Sequence, residues 1–299
     1  MSQLLTLEVP DNARSVRLRT ERGVFAALDV GPDGRTTGGR TTGGHAPVRA
    51  TALLVPGFMG SKEDFLPMLP VLSSGGVRVL AIDGRGQHET GAASPDPSYT
   101  RDDLASDLIA IAQHLNAGPV HLLGHSYGGI LARAAVLATH ADPSLWASVT
   151  FMNFGPASVS ARQRERLQLL LSVIDSMTLA DMWPYVRNED TAAPEDVELF
   201  MERRWLRNSP EHLAAAAEQM LAEEDETPRL ARLSIPKSVI SGTPDETWPP
   251  EGVERMARAL GAGFVRIENG GHSPNVHKPR QTASALLDFW LSSQEVVAA

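Results

Sequence analysis

The hydrophobic and polar positions along the chain divide it into an ordered series of predicted strands and helices. Residues 15–19 and 24–30 alternate apolar and polar side chains, which predicts an antiparallel hairpin at the edge of a sheet. From Ala50 onward, short apolar runs alternate with amphipathic segments, as in a mostly parallel sheet that carries helices on both faces. The predicted strands of this sheet are 51–55, 77–82, 120–123, 148–152, 238–241 and 264–267.

Amphipathic segments between these strands predict helices. In residues 101–116 large apolar side chains recur at intervals of three and four residues, and Thr100 with Asp103 resembles a capping box. The other predicted helices are 63–72, 127–139, 251–260 and 280–293. Strands and helices together predict an α/β core made of residues 1–155 and 233–299.

The interval 156–232 breaks this alternation. It has no convincing strand pattern, only helical patterns at 162–174, 195–206 and 211–224 that prolines punctuate, so we expect a helical cap inserted into the core. Most of the large flexible or aromatic side chains of this interval should fill the cap's own small core, and the rest should line an apolar pocket. They are Met177, Met182, Trp183, Tyr185, Phe200, Met201, Trp205 and Met220, of which Trp183 is our candidate for substrate binding.

Composition narrows the classes of protein that fit this pattern. The 299 residues are 42% hydrophobic and 21% charged, which is typical of a globular protein. The formal net charge of −9 and the absence of a basic run argue against a nucleic-acid partner. Because the chain has no cysteine, it has no disulfide, no thiolate metal site and no cysteine nucleophile.

The sequence pattern predicts neither a targeting signal nor a membrane span. The first ten residues show no basic region followed by an apolar stretch, and no segment reaches the length of a membrane span. We therefore expect a cytoplasmic protein without a membrane partner. Residues 31–47 carry a tandem Arg-Thr-Thr-Gly-Gly repeat, which predicts a mobile loop. The pattern leaves the oligomeric state open.

One motif carries more chemical information than the rest. Gly124-His-Ser126-Tyr-Gly128 follows the predicted strand 120–123 and opens the predicted helix 127–139. A serine on such a sharp turn presents its hydroxyl at the carboxyl end of the strand, and glycines on either side leave room for close backbone contact. We therefore predict that Ser126 is a nucleophile.

A serine nucleophile needs a base that takes its proton and an acid that orients the base. In hydrolases with this turn, the partners follow in the chain order serine, acid, histidine. Asp245 follows the predicted strand 238–241 and His272 follows 264–267, so both lie at strand carboxyl ends, where sites in open α/β sheets form. We predict His272 as the base and Asp245 as the acid, with the neighbouring Glu246 as the alternative acid.

Acyl chemistry on serine also needs donors for the oxyanion, usually two backbone N–H groups. One comes from the residue after the nucleophile, here Tyr127, and the other from the loop after the first central strand. In that loop Gly57 permits the turn and Phe58 would supply the N–H, while Phe58 and Met59 would flank the acyl group. Because no His-Glu-x-x-His or similar spacing occurs, we expect neither a metal nor another cofactor.

Taken together, these motifs resemble the α/β-hydrolase fold superfamily, and within it the cap-bearing esterases and lipases. The resemblance runs from about Thr51 to Trp290, excluding close similarity in the cap. It is carried by Pro56-Gly57-Phe58, Asp83-Gly-Arg85-Gly86, Gly124-His-Ser126-Tyr-Gly128-Gly129, Gly242-Thr-Pro-Asp245 and Gly271-His272-Ser-Pro274. The chain departs from many relatives in two places, with Pro56-Gly57 where they have His-Gly, and with Gln87-His-Glu-Thr90 after Gly86.

This resemblance implies a cofactor-independent serine hydrolase whose partner is a small-molecule substrate. We expect it to cleave a carboxylic ester of small or medium apolar size through an acyl-enzyme on Ser126. Serine at this position sets aside the epoxide hydrolases and haloalkane dehalogenases of the same family, which use aspartate. Hydrolysis of a lactone, peptide, thioester or carbon–carbon bond, and acyl transfer, use the same triad and remain alternatives, as does a ligand-binding module with vestigial turnover.

Overall fold

The computed structural model describes residues 4–32, 47–92, 97–157, 159–187 and 193–297. The tandem Arg-Thr-Thr-Gly-Gly repeat, which we predicted as a mobile loop, lies outside the described residues. The predicted sheet and most of the predicted helices fall inside them.

Eight strands form one sheet in the order β1-β2-β4-β3-β5-β6-β7-β8. The first two pair as the predicted antiparallel hairpin at one edge, β2 also pairs antiparallel with β4, and all later pairs are parallel. This confirms the predicted fold class. The strands are β1 (Ala13–Thr20), β2 (Gly23–Val30), β3 (Ala50–Val55), β4 (Val77–Ile82), β5 (Val120–His125), β6 (Trp146–Met152), β7 (Lys237–Thr243) and β8 (Gly263–Glu268).

The central strands β3, β4 and β5 are buried on both faces of the sheet, which explains their continuous apolar runs. In β3, Leu53 and Val55 pack into an apolar cluster on one face, whereas Ala52 and Leu54 pack into a second cluster on the other. Successive side chains of a strand point to opposite faces, so an unbroken apolar run is what a doubly covered strand requires.

Helices follow most of the strands, as predicted. After β3 come a 3-10 helix (Lys62–Met68) and α1 (Leu69–Ser74), after β4 comes α2 (Arg101–Leu115), and after β5 comes α3 (Tyr127–Ala138). The later helices are α4 (Ala161–Val173), α5 (Leu179–Val186), α6 (Glu195–Leu206), α7 (Pro210–Ala222), α8 (Thr227–Ala231), α9 (Pro250–Leu260), α10 (Pro274–His277) and α11 (Pro279–Val297).

The predicted helix 63–72 is wrong as a single helix, since it divides into the 3-10 helix and α1. Pro67 lies inside the 3-10 helix and Pro70 lies in the first turn of α1. A proline inside an α-helix has no N–H to donate and clashes with the preceding turn, whereas it is tolerated in the first turn. The chain therefore starts a new helix at Leu69.

Between β6 and β7 the described residues form only helices, α4 to α8. We call residues 156–232 the helical insertion. Five of the eight large side chains noted in its sequence are buried, Met177 and Trp183 pack partly buried against the core, and Tyr185 is 83% exposed. The buried ones are Met182, Phe200, Met201, Trp205 and Met220.

A fully buried ion pair joins the helical insertion to the core. The Arg204 guanidinium on α6 lies 2.5 Å from the Asp64 carboxylate on the 3-10 helix, and both side chains are inaccessible to solvent. Nearby, the Ser209 N–H donates to the Gly86 carbonyl at 2.8 Å. The two contacts fix α6 and the start of α7 against the loops that follow β3 and β4.

We expect the replacement Arg204→Leu to lower the free energy of unfolding by about 3–5 kcal/mol, because it leaves the Asp64 carboxylate buried without its partner. Arg203→Leu is the matched control, because Arg203 is exposed and makes no buried ion pair among the described residues. This replacement should lower the free energy of unfolding by less than about 1 kcal/mol. Urea unfolding of both variants measures the difference. Equal losses would show that the pair does not join the insertion to the core.

Candidate active site

The turn between β5 and α3 holds Ser126 in a conformation that few residues adopt. Its backbone has φ 55° and ψ −121°, which costs about 1–3 kcal/mol and persists only where the surroundings enforce it. They do so through backbone contact: a Cβ on Gly124 would overlap the Gly128 carbonyl, and a Cβ on Gly128 would come 2.5 Å from the Val55 carbonyl oxygen. The Ser126 N–H donates to the Met152 carbonyl at 2.9 Å.

The structure brings the three predicted polar side chains into one hydrogen-bonded row. His272 Nε2 lies 3.0 Å from Ser126 Oγ, and His272 Nδ1 lies 3.0 Å from each carboxylate oxygen of Asp245. The Asp245 side chain is 1% exposed and that of His272 is 32% exposed. The row therefore runs from a buried carboxylate to an imidazole that is partly open to solvent.

Asp245, not Glu246, faces the histidine. The Glu246 carboxylate is exposed and pairs with Arg162 at 2.8 Å.

Burial alone would raise the pKa of Asp245, but hydrogen bonding and attraction to His272, together with hydrogen bonds from Asn153 and the Thr247 N–H, lower it below its usual value. Asp245 is therefore a carboxylate at neutral pH, and the stability that it contributes is lost as the pH falls through its folded-state pKa.

Asn153 is a site residue that the sequence analysis missed. Its Nδ2 donates to Asp245 Oδ2 at 2.9 Å and to the carbonyls of Gly242 and Gly271 at 3.1 Å, and its Oδ1 accepts from the Gly242 N–H at 2.9 Å. One buried amide thus joins the acid loop to the histidine loop. Its position directly after β6, at a strand carboxyl end, is the signal that could have identified it.

Two more residues that were not predicted hold the histidine from other sides. His125 Nε2 donates to the His272 carbonyl at 2.8 Å, and burial and the neighbouring His272 lower the pKa of His125 to about 3, so it stays neutral. The Trp248 ring stacks on the His272 ring with centroids 6.3 Å apart and planes at 25°. The Trp248 Nε1–H donates to the Ala157 carbonyl at 2.9 Å, at the start of the helical insertion.

The predicted oxyanion loop lies directly against Ser126. A Cβ on Gly57 would come 3.1 Å from Ser126 Cβ and 3.3 Å from the His125 carbonyl oxygen. Within the described loops the Phe58 N–H has no backbone acceptor, and the Tyr127 N–H belongs to the first turn of α3, where helical N–H groups have no partner inside the helix.

The residues predicted to line a pocket are less closely grouped. Phe58 and Met59 are partly buried in the loop beside Ser126. Trp183 is also partly buried, between the core and a smaller cluster that includes Phe200, and no hydrogen bond or ring contact of the described residues links it to Ser126 or His272. Its role as a substrate-binding residue stays a prediction.

Neither a metal centre nor a membrane segment is evident in the described ranges. No group of three or more His, Asp or Glu side chains lies together there in a way that could hold a metal ion. No helix in those ranges is both long enough and apolar enough to cross a bilayer.

A model of the alpha/beta hydrolase family matches residues 52–285, most of the chain. The match begins inside β3, runs through β8, and includes the whole helical insertion and all the polar side chains of the row.

Individual relatives are similar over most of their length but differ in activity. The chain is 29% identical over 208 residues to 3-oxoadipate enol-lactonase 2 of Acinetobacter baylyi, covering 68% of this chain and 74% of the relative. It is 21% identical over 275 residues to a proline iminopeptidase of Lactobacillus crispatus, covering 84% and 93%. A solved structure of a thermophilic esterase from Thermogutta terrifontis is 26% identical with a TM-score of 0.69, covering 94% of this chain and 99% of the esterase.

We expect Asn153→Ala to lower the free energy of unfolding by about 2–4 kcal/mol, because it leaves buried carbonyl and carboxylate groups without their donor. Asn153 also has a positive φ of 47°, so Asn116→Ala is the matched control, since Asn116 is exposed and has a φ of 43°. Urea unfolding of both variants separates the lost hydrogen bonds from the backbone cost. A loss in Asn153→Ala no larger than in the control would mean that the amide does not hold the two loops together.

Proposed function

We propose that this chain, which belongs to the alpha/beta hydrolase family, is a serine hydrolase that cleaves a carboxylic ester through an acyl-enzyme. The observation that carries the proposal is the row of Ser126, His272 and Asp245, with an unbroken series of hydrogen bonds of 3.0 Å. Acyl transfer to serine needs a hydroxyl, a base in contact with it and a buried acid that orients the base.

The proposed reaction begins when His272 Nε2 takes the proton of Ser126 Oγ as that oxygen attacks the ester carbonyl carbon. The Asp245 carboxylate accepts the Nδ1–H of His272, so that Nε2 is the free acceptor, and it stabilises the imidazolium that forms. The imidazolium then gives its proton to the departing alkoxide, which leaves the acyl group on Ser126. A water molecule, activated by the same imidazole, hydrolyses this ester and restores the serine.

We further propose that two backbone groups stabilise the charge that develops on the carbonyl oxygen. In our proposal the oxyanion accepts hydrogen bonds from the N–H groups of Phe58 and Tyr127. Each donor of this kind contributes about 3 kcal/mol to transition-state stabilisation. The closeness of Gly57 to Ser126 supports this assignment, since it puts the peptide before Phe58 beside the nucleophile.

The surroundings of the site favour an apolar acyl group. Phe58 and Met59 follow Gly57, which lies against Ser126, and the Trp248 ring stacks on the His272 ring; none of these three side chains is charged. We also propose that the helical insertion, residues 156–232, is a cap that forms the other side of the acyl pocket. The similarity to the Thermogutta terrifontis esterase supports an ester as substrate.

Replacing Ser126 with alanine should abolish turnover without unfolding the protein. The intact protein should release p-nitrophenol from acetate, butyrate or octanoate esters in a stoichiometric burst followed by turnover, and Ser126→Ala should show neither. Ser148→Ala is the matched control, because Ser148 is a buried serine in β6 that bonds His121 and should leave turnover unchanged.

An organophosphate gives an independent readout, because it labels only a serine that attacks as a nucleophile. Intact mass should show one adduct on the wild type and on Ser148→Ala, and none on Ser126→Ala. Turnover of the esters by Ser126→Ala at the wild-type rate would refute the proposal. Turnover of a lactone or a prolyl amide in place of the esters would keep the nucleophile and change the substrate class.

Replacing Asp245 with asparagine should lower kcat by about 10⁴-fold, because the amide favours the wrong tautomer of His272. Glu246→Gln tests the alternative acid, and we expect it to change kcat by less than about twofold, because the exposed Glu246 carboxylate pairs only with an exposed arginine. Both variants remove one charge from the same loop, so ester turnover compares them directly. A large loss in Glu246→Gln with little loss in Asp245→Asn would reverse the assignment.

A further inference from the structure

We infer that Gln87 is a positioning residue that fixes the peptide carrying the Phe58 N–H, and this inference rests on the proposed function. Gln87 begins the segment Gln87-His-Glu-Thr90, where the sequence departs from the pattern of many relatives. Its side chain is buried, 3% exposed, in the loop after β4. It reaches across to the loop after β3, where its Nε2 donates to the Gly57 carbonyl at 2.9 Å.

The Gly57 carbonyl and the Phe58 N–H belong to the same peptide unit. In a planar trans peptide these two groups point in opposite directions, so whatever holds the carbonyl also sets the direction of the N–H. The Gly57 carbonyl accepts a second hydrogen bond, from the Gly60 N–H at 3.0 Å. The two donors restrain the peptide against a flip that would turn the Phe58 N–H away from the site.

The amide of Gln87 can be oriented in only one way. Its Oε1 accepts from the Gly84 N–H at 3.0 Å while its Nε2 donates to Gly57. Exchanging the two ends would put the NH₂ group against an N–H and the oxygen against a carbonyl. The side chain is therefore a fixed bridge between two loops, and its donation to the carbonyl polarises the peptide and strengthens the Phe58 N–H as a donor.

Neighbouring hydrogen bonds connect the loops after β3 and β4 to the sheet. The Lys62 N–H and ammonium both bond the buried Asp83 carboxylate, at 2.8 and 2.9 Å, which fixes the end of the Gly57 loop against the end of β4. The Thr90 hydroxyl donates to the Asp83 carbonyl at 2.7 Å and accepts from the Ala26 N–H at 3.0 Å, two bonds that join the end of β4 to β2 and do not involve Gly57. Gln87 alone among these side chains touches the peptide of Phe58.

The test compares Gln87→Met and Gln87→Glu with Thr90→Val. The methionine keeps the length of the side chain without a donor, and the glutamate keeps an acceptor for Gly84 but offers no donor to Gly57 when ionised. Thr90→Val is the matched control, because it removes a buried hydroxyl from the same loop without touching Gly57. Burst kinetics of a p-nitrophenyl ester separate the acylation rate constant from the dissociation constant of the substrate, and the burst amplitude counts the folded active sites.

We expect both Gln87 variants to lower the acylation rate constant per active site by about 10- to 100-fold, less than the loss of a whole oxyanion donor. The substrate dissociation constant should change less than threefold, and inhibition by an alkylboronic acid, whose tetrahedral adduct places an oxygen in the oxyanion position, should weaken by the same factor as the acylation rate. Thr90→Val should change none of the three by more than about threefold. If the glutamate variant does not fold, the methionine variant gives the answer.

Any of three results would overturn the inference. They are an unchanged acylation rate in Gln87→Met, an equal loss of that rate in Thr90→Val, and a loss of substrate binding without a loss of acylation. Ser126→Ala, measured beside them, keeps this failure distinct from that of the proposed function. If Ser126→Ala loses the burst and Gln87→Met does not, only the role of Gln87 is wrong. If Ser126→Ala keeps the burst, the proposed function fails, and the role of Gln87 fails with it.

Discussion

The site depends on one backbone constraint, the positive φ of Ser126 between β5 and α3. Main-chain contacts with the neighbouring strands hold this turn, through the carbonyls of Val55 and Met152. Those contacts exist only because β5 lies between β3 and β6, so the strand order of the sheet is itself part of the site. The glycines on either side of the serine follow from the same constraint, since a side chain at either position would collide with backbone.

Parallel pairing explains how residues far apart in the chain meet at this turn. β7 and β8 continue the parallel order beyond β6, so the loops after them open at the same edge as Ser126. A buried carboxylate at that edge needs its hydrogen bonds satisfied, and Asp245 receives them from His272, Asn153 and the Thr247 N–H. The groups that stabilise the charge of Asp245 are the same ones that fix the histidine loop, so stability and orientation of the proposed base have a common source.

Strand-end position explains what the sequence could predict. Ser126, Asp245 and His272 each lie in the loop or turn that follows an apolar run, and a local pattern is enough to place them at one edge of a parallel sheet. Asn153 and Gln87 act through hydrogen bonds to loops 89 and 30 residues away, and no local pattern encodes such contacts. The division of the predicted helix at Leu69 could have been predicted from Pro67 and Pro70. The helix α5 was missed, although Thr178 and Asp181 form a capping box at its start.

The helical insertion is attached to the core at the groups next to the site. Asp64, the partner of Arg204, lies under Gly60 in the loop of Phe58, where a Cβ would come 2.5 Å from its carboxylate. The Tyr127 hydroxyl donates to Gln219 on α7 at 2.9 Å, so the residue after the nucleophile is also bonded to the insertion. Both proposed oxyanion donors therefore sit on segments that the insertion holds in place. Substitutions in the proposed cap that leave Arg204 and Gln219 unchanged can therefore alter the substrate range while the proposed chemistry stays the same.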